Sequence, residues 1–226
     1  MWAPRRGVTV LVEVILFDLG NVLVEFSQEP ICQGLARLAT RPPYRDPREV
    51  YRFIFDRERG LENAFDEGRM EPEAFFLETA KEMGLQISYE EFRSIWNRIF
   101  RARPGARGLV RFLRGRVEQH VLSNTNAIHF PYLLGQFPWL KLVDSMFLSH
   151  EMGCRKPKPA LYSRVLERLR RPPERVLFLD DREENLAPAR ELGMEVVLVQ
   201  EETVLEAEIR RFLPHLPWSE RGRGLA

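Results

Sequence analysis

The stretch Val14-Ile15-Leu16-Phe17-Asp18-Leu19-Gly20-Asn21-Val22 decides how the rest of the chain is read. Its apolar, partly β-branched opening predicts a buried strand that ends on one carboxylate, and a glycine turn follows at once. A strand that stops on an acid before a tight loop holds that acid at the carboxyl edge of a sheet, where open α/β folds place their ligands. There Asp18 can attack a substrate, bind a metal or do both. Taken alone, the segment equally describes a solvated aspartate in a turn.

Working outward, runs of the same style recur at residues 117–122, 176–179 and 196–199, with a weaker one at 146–148. Between them lie helical patterns at 106–113, 127–137, 160–169, 186–192 and 204–213. Strand and helix alternate with crossovers of βαβ length, so the expected fold class is α/β, a doubly wound parallel sheet. From about residue 28 to 103 the alternation stops. Aromatic residues there, among them Tyr51, Phe55, Phe65, Phe75, Phe92 and Trp96, recur at spacings of three and four, the pattern of amphipathic helices with an apolar core face. Glu71-Pro72-Glu73 starts one helix well, with proline and acids in its first turn, and Gly84 closes it. The expected organisation is a core of residues 8–26 and 104–213, a helical cap inserted at 27–103 with Pro104-Gly105 as its return hinge, and a flexible tail at 214–226 with little to bury.

Composition narrows the function classes. The 226 residues carry a formal charge of +1, which marks no nucleic-acid partner, and 44% hydrophobic content is ample for a core. The apolar stretch near the N-terminus is interrupted by Glu13 and is too short for a membrane span. Cys32 and Cys154 form no paired framework, which points to a reduced, cytoplasmic chain. Among 34 basic residues, Lys81, Lys141, Lys156 and Lys158 are the only lysines, so a lysine in a chemical setting stands out.

Three further segments end strands on reactive groups. Leu122-Ser123-Asn124-Thr125-Asn126 presents a hydroxyl and an amide that suit phosphate oxygens or a developing anion, although the same residues also suit a helix N-cap. Gly153-Cys154-Arg155-Lys156-Pro157-Lys158-Pro159 fixes a compact ammonium in a proline-stiffened loop. Phe178-Leu179-Asp180-Asp181 ends a buried strand on adjacent carboxylates, which repel unless a cation or hydrogen bonds compensate; Mg²⁺ with oxygen ligands is the simplest compensation. Asn185, one turn along, can steady that loop. In one parallel sheet these ends converge. A nucleophile, a diacid, a lysine and oxygen-holding groups are the parts that phosphoryl transfer needs.

In order and spacing the four segments resemble the haloacid dehalogenase-like hydrolase superfamily, nearest the branch with small sugar-phosphate phosphatases and the phosphatase domain of soluble epoxide hydrolase. The resemblance spans residues 14–199, inserted helical cap included. It implies that Asp18 attacks phosphorus to form an aspartyl-phosphate that water then hydrolyses. It further implies Mg²⁺ held by Asp18, the Gly20 carbonyl and Asp181, a phosphoryl group bound by Ser123, Asn124 and Lys156, and support from Asp180 and Asn185. The implied substrate is a small phosphorylated metabolite, with sugar phosphates favoured by resemblance alone; neither nucleic acid nor membrane is implied as partner, and oligomeric state is left open.

Two positions depart from the family pattern. Relatives usually carry a second aspartate two residues after the nucleophile, as acid for the leaving group and base for water, where this chain has Gly20. The metal contact survives because it uses the backbone; the proton shuttle does not. Some members of the sugar-phosphate branch share the Asp-Leu-Gly-Asn pattern. Lys158 stands where an acidic or neutral residue is usual, and either adds charge near the phosphate or merely solvates the loop. Two other readings remain: a phosphate-binding or interaction protein that lost turnover with the acid, and a dehalogenase of the same fold, which would need no metal and hence no diacid. A receiver domain is set aside because its acid pair precedes the phosphorylated aspartate. His120, His129, His150 and His215 share no ligand spacing and read as strand-edge or surface residues.

Overall fold

The computed structural model describes residues 11–218. Strand β1 (Val14–Phe17) lies at the centre of a five-stranded sheet with β4 (Glu118–Ser123), β5 (Ser145–Leu148), β6 (Val176–Asp180) and β7 (Glu195–Leu198), in the order β5-β4-β1-β6-β7. Every pairing is parallel. Two short strands, β2 (Val24–Phe26) and β3 (Phe100–Ala102), pair antiparallel as a separate ribbon. Helices α1 to α5 (Glu29–Leu38, Pro47–Phe55, Glu62–Asp66, Pro72–Met83 and Tyr89–Asn97) all fall between β2 and β3. Six more, α6 to α11 (Ala106–Leu113, His129–Gln136, Ser149–Met152, Pro159–Leu169, Glu183–Glu191 and Leu205–Phe212), join or follow the strands of the large sheet.

The alternation of side chains along a strand explains why helices cover both faces. Ile15 and Phe17 join Leu109, Val110 and Ile209 in one core cluster, whereas Val14 and Leu16 join Leu161, Val165 and Leu186 in another. All four residues of β1 have no exposed surface, as a strand between two helix layers requires. The expected doubly wound parallel sheet is therefore the observed one. Differences in bounds are small. Helix α10 starts at Glu183, three residues before the apolar pattern, because Glu183 and Glu184 suit the positive end of its dipole.

A third cluster lies wholly apart from the sheet in sequence until Ile128: Ile31, Leu35, Ile54, Phe65, Phe75, Phe92 and Trp96 fill the space between α1 to α5. Phe75 stacks on Phe65 at 4.5 Å and meets the Trp96 ring edge-on at 4.9 Å. The aromatic stripe is core, and each such side chain contributes about 1.5–3 kcal/mol by leaving water. Helix α4 has the expected punctuation, with Pro72 in its first turn and Gly84 left-handed at φ 68°. A capping box, Ser88 with Glu91, starts α5.

The segment from Pro214, expected to be flexible, is docked as far as it is described. Trp218 is buried, its ring 4.8 Å from Phe112 and its indole N–H donating to the Leu213 carbonyl at 2.8 Å. The lead-in before Leu11 and residues 219–226 lie outside the described residues. Among the described residues no helix is long and apolar enough to cross a membrane.

Candidate active site

Register brings the reactive groups to one edge. Phe17 lies level with Val121 of β4 and Leu179 of β6, so the residues that follow leave the sheet together. The Asp18 backbone N–H still donates to Leu179 O at 2.8 Å, which ties the first loop residue to β6. Asp18 is 7% exposed, Ser123 3%, Lys156 1% and Asp180 0%, so these polar groups have been taken out of water and must satisfy one another or a ligand.

Lys156 is the electrostatic centre. Its Nζ lies 2.8 Å from Asp18 Oδ1 and 2.6 Å from Asp180 Oδ2, and 5.5 Å from the Phe178 ring centroid. Burial works against the ammonium, but the two carboxylates outweigh it and hold its pKa above the ordinary lysine value. Asp18 shows the converse balance. Burial and the charges of Asp180 and Asp181 outweigh Lys156 and push its carboxyl up to about 7. Asp181 is also raised, chiefly by burial and by Asp180, against a hydrogen bond from Asn21.

The acids have separate tasks. Asp180 Oδ1 accepts from Arg182 N–H and from Asn185 Nδ2, both at 2.9 Å, while its other oxygen takes Lys156, so its acceptor capacity is spent inside the protein. Asp180 and Asn185 thus fix the lysine and the start of α10. Asp181 Oδ2 accepts from Asn21 Nδ2 at 3.1 Å, and Asp18 Oδ1 also accepts from the Leu19 N–H at 2.7 Å, which leaves one oxygen of each carboxylate without a hydrogen bond among the described residues. Ligand oxygens of Asp18, Asp180 and Asp181 lie within 4.8 Å of one another. Gly20 borders the same cavity. Unspent carboxylate oxygens close together, with raised pKa values that a cation would relieve, fit a hard divalent ion.

Asn124, expected to hold substrate oxygens, is also bound to the lysine loop. Its Oδ1 accepts from the Lys156 N–H at 2.8 Å and its Nδ2 donates to the Lys156 carbonyl at 3.0 Å. The amide clamps the lysine loop with its oxygen and one N–H, which leaves its second N–H for a ligand oxygen in the cavity that it lines. Ser123 Oγ makes only a long contact, 3.3 Å to Asn124 O, and remains able to turn toward a ligand. Lys158 pairs with Glu67 of the helical segment instead of facing the lysine pocket. A second cross-contact, Arg57 to Glu184 at 2.5 Å, joins the same two parts; an exposed pair of this kind is worth about 0–1 kcal/mol.

Several contributors carry no motif. Asn21 is left-handed at φ 54°, and its carbonyl accepts from Arg103 Nη1 at 2.7 Å. The other nitrogen of that buried guanidinium donates to the carbonyls of Gln200, Glu201 and Thr203. Arg103 thereby ties the loop that steadies Asp181 to the loop after β7. His129 is buried, stacked on Trp96, and held neutral because burial lowers its pKa to about 4. From the helical segment, Glu62 and Asp66 reach the cavity that holds Asp18. The only signal for these in the sequence was charge in a short, aperiodic stretch. Gly20 is close-packed: a Cβ there would lie 2.5 Å from Phe26 Cε1.

Comparison with known proteins agrees with this geometry. A family model described as haloacid dehalogenase-like hydrolase matches residues 12–193. The D-ribitol-5-phosphate phosphatase of Bacteroides thetaiotaomicron is 26% identical over 194 residues, 82% of this chain and 90% of that protein. Drimenol cyclase drtB of Aspergillus calidoustus is 35% identical over 111 residues, but the match spans only 20% of that longer protein. In fold, a HAD-family enzyme of B. thetaiotaomicron crystallised with magnesium and inorganic phosphate superposes with a TM-score of 0.78 at 24% identity, covering 88% of this chain and 100% of that one.

Proposed function

This chain belongs to the haloacid dehalogenase-like hydrolase family and is by kinship a phosphoric monoester hydrolase; on that premise we propose that it is a Mg²⁺-dependent phosphatase of small phosphorylated metabolites, sugar phosphates among them. The observation that carries the reading is the meeting of Asp18, Asp180 and Asp181 within 4.8 Å, with the Lys156 ammonium bonded to two of them. The diacid also speaks against a dehalogenase, whose displacement of halide needs no cation.

Asp18 attacks the phosphorus in line with the leaving oxygen; its O–P bond forms as the ester P–O bond breaks, and the carboxylate becomes an acyl phosphate. The departing oxygen takes its proton from water, since Gly20 has none to give. Lys156 and Ser123 hold the transferring oxygens, and Asn124 keeps the lysine in place. Asp18, Asp181 and the Gly20 carbonyl would hold Mg²⁺, which when bound offsets the charge of the phosphoryl group. Asp180, spent on Lys156, Arg182 and Asn185, orients without reacting. Water then attacks the acyl phosphate and restores the carboxylate. Residues 27–103 act as a cap that shields this exchange from solvent. The free, buried thiols of Cys32 and Cys154 support a cytoplasmic location.

Release of inorganic phosphate from p-nitrophenyl phosphate tests the reading, since that leaving group needs little acid help. Turnover should fall at least about 100-fold in EDTA and return with Mg²⁺. Because the proton competes with the cation for Asp18, whose metal-free pKa is about 7, calorimetry should find Mg²⁺ binding about tenfold weaker at pH 6 than at pH 8. Mg²⁺ binding without any turnover would instead favour the phosphate-binding protein that has lost its acid.

Gly20 yields a separate expectation. Gly20→Asp alone must displace the Phe26 ring, so it lowers Tm and gains little activity. Gly20→Asp with Phe26→Ala makes room for the acid, and should release phosphate from an alkyl ester at least about tenfold faster than the single variant, the lower part of what general acid catalysis supplies. Equal rates for both would mean that position 20 does not face the leaving oxygen.

A further inference from the structure

The cavity that holds Asp18, Lys156 and Ser123 continues to the short helix α3, where Glu62, Asn63 and Asp66 line it. Resting on the phosphatase reading above, we infer that Asp66 and Glu62 form the subsite for the leaving group, and that this subsite takes a polyhydroxylated alcohol. Carboxylates are poor neighbours for a phosphate ester unless they meet hydrogen-bond donors, since like charges repel. Asp66 is 7% exposed, and its Oδ1 accepts from Asn126 Nδ2 at 3.1 Å. Among the described residues, neither its Oδ2 nor the Glu62 carboxylate takes a hydrogen bond. Asn126 is itself held by its Oδ1, which accepts from the backbone of Ile128 and His129, so Asp66 is presented in one orientation. Acceptors with unspent capacity in a buried wall are costly until a ligand supplies the donors.

The surroundings choose among donors. Arg57, Arg155 and Arg182 line the same cavity, and Arg155 and Arg182 act on Glu62 electrostatically. Burial raises the pKa of both acids, aided by Asp66 at Glu62 and by Glu67 at Asp66, which reaches about 6. Arg57 is paired with Glu184, and Arg155 and Arg182 balance the two acids, so the wall has no excess negative charge to attract an ammonium. Neutral hydroxyls, which both donate and accept, match acids and guanidinium groups together. The apolar side of the cavity, Phe26, Phe55, Ile99, Phe100 and Leu133, offers the carbon faces of the same alcohol a surface.

The test compares kcat/KM for D-sorbitol 6-phosphate, phosphoethanolamine, farnesyl phosphate and p-nitrophenyl phosphate in the full chain with Mg²⁺. The sorbitol ester should exceed the ethanolamine and farnesyl esters by at least about tenfold. Its kcat/KM relative to p-nitrophenyl phosphate should fall about 10- to 100-fold in Asp66→Ala, the loss expected for a hydrogen bond to a charged group. Glu62→Gln, which disturbs no side-chain hydrogen bond among the described residues, should lower the same ratio and serves where Asp66→Ala folds poorly. Preference for the amine or the isoprenoid ester, or a ratio unchanged in the folded variants, overturns the assignment while phosphatase activity stands. Failure of all four esters removes the phosphatase reading and this subsite with it.

Discussion

Asp18→Asn should release phosphate from p-nitrophenyl phosphate at least about 10³-fold more slowly than the unaltered chain, a modest figure beside nucleophile removals in other covalent enzymes. Asparagine keeps the shape of the aspartate and can still accept from the Leu19 N–H, so the loss reports the missing nucleophile and not a collapsed loop. Retention of more than a tenth of the rate would mean that water attacks phosphorus directly and that Asp18 is no nucleophile. Stability moves the other way. Burial raises Asp18 from 3.8 to about 7 in the folded chain. A folded value above the unfolded one contributes stability that is complete below pH 3.8 and gone once pH has passed about 7. In EDTA, denaturant unfolding should therefore show the asparagine variant gaining on the parent between pH 5 and pH 8. An advantage that shrinks over that range would contradict the buried, proton-holding carboxyl.

Lys156→Met should have the second large effect, on folding and on turnover together. The methionine fills a similar volume but leaves Asp18 and Asp180 without their cation at 2.8 and 2.6 Å. Unpairing a buried ion typically costs about 3–5 kcal/mol, a fall of roughly 10 °C in Tm for a chain of this size. Phosphate release should drop at least about 100-fold, since the phosphoryl oxygens lose a fixed positive charge. Adding Asp180→Asn separates the two roles. It removes one orphaned charge and should recover part of the Tm, while phosphate release stays low. Recovery of the rate in the double variant would mean that Lys156 serves only to neutralise Asp180.

How much of this was legible in the chain follows from how each group is held. Strands β1 and β6 are apolar runs buried on both faces, so their position and their acidic ends could be read directly, whereas β4 buries Gln119 and His120 and shows only Val121 and Leu122 before Ser123. Helix α4 carried its own start and stop in Pro72 and Gly84. The ribbon of β2 and β3 was missed because three residues per strand hold no usable period. Asn124 was assigned by the chemistry of its side chain, which gave no sign that a partner 32 residues later, the Lys156 backbone, also bonds its oxygen and one N–H. Arg103, one arginine among many, acquires its role only when the loops at Asn21 and Gln200 fold around it. Glu62 and Asp66 look like solvated charges until five helices pack and carry them inward. Local pattern thus reveals elements buried by their own composition, and it is silent on polar groups whose partners arrive from elsewhere.

The ribbon has a bearing on ancestry and on engineering. All of α1 to α5 departs and returns through one cross-strand pair, Phe26 opposite Phe100. A graft need only present two ends that can meet as that pair, and doubling the length of a transplanted insert adds about 0.6 kcal/mol of loop-closure entropy. If the graft is bounded by Phe26 and Phe100, Arg103, the last residue of the expected cap, stays with the recipient and goes on holding the turn at Asn21. One recombination event can exchange the five-helix insert for another and leave the parallel sheet, with Asp18, Lys156 and Asp181 at its edge, untouched.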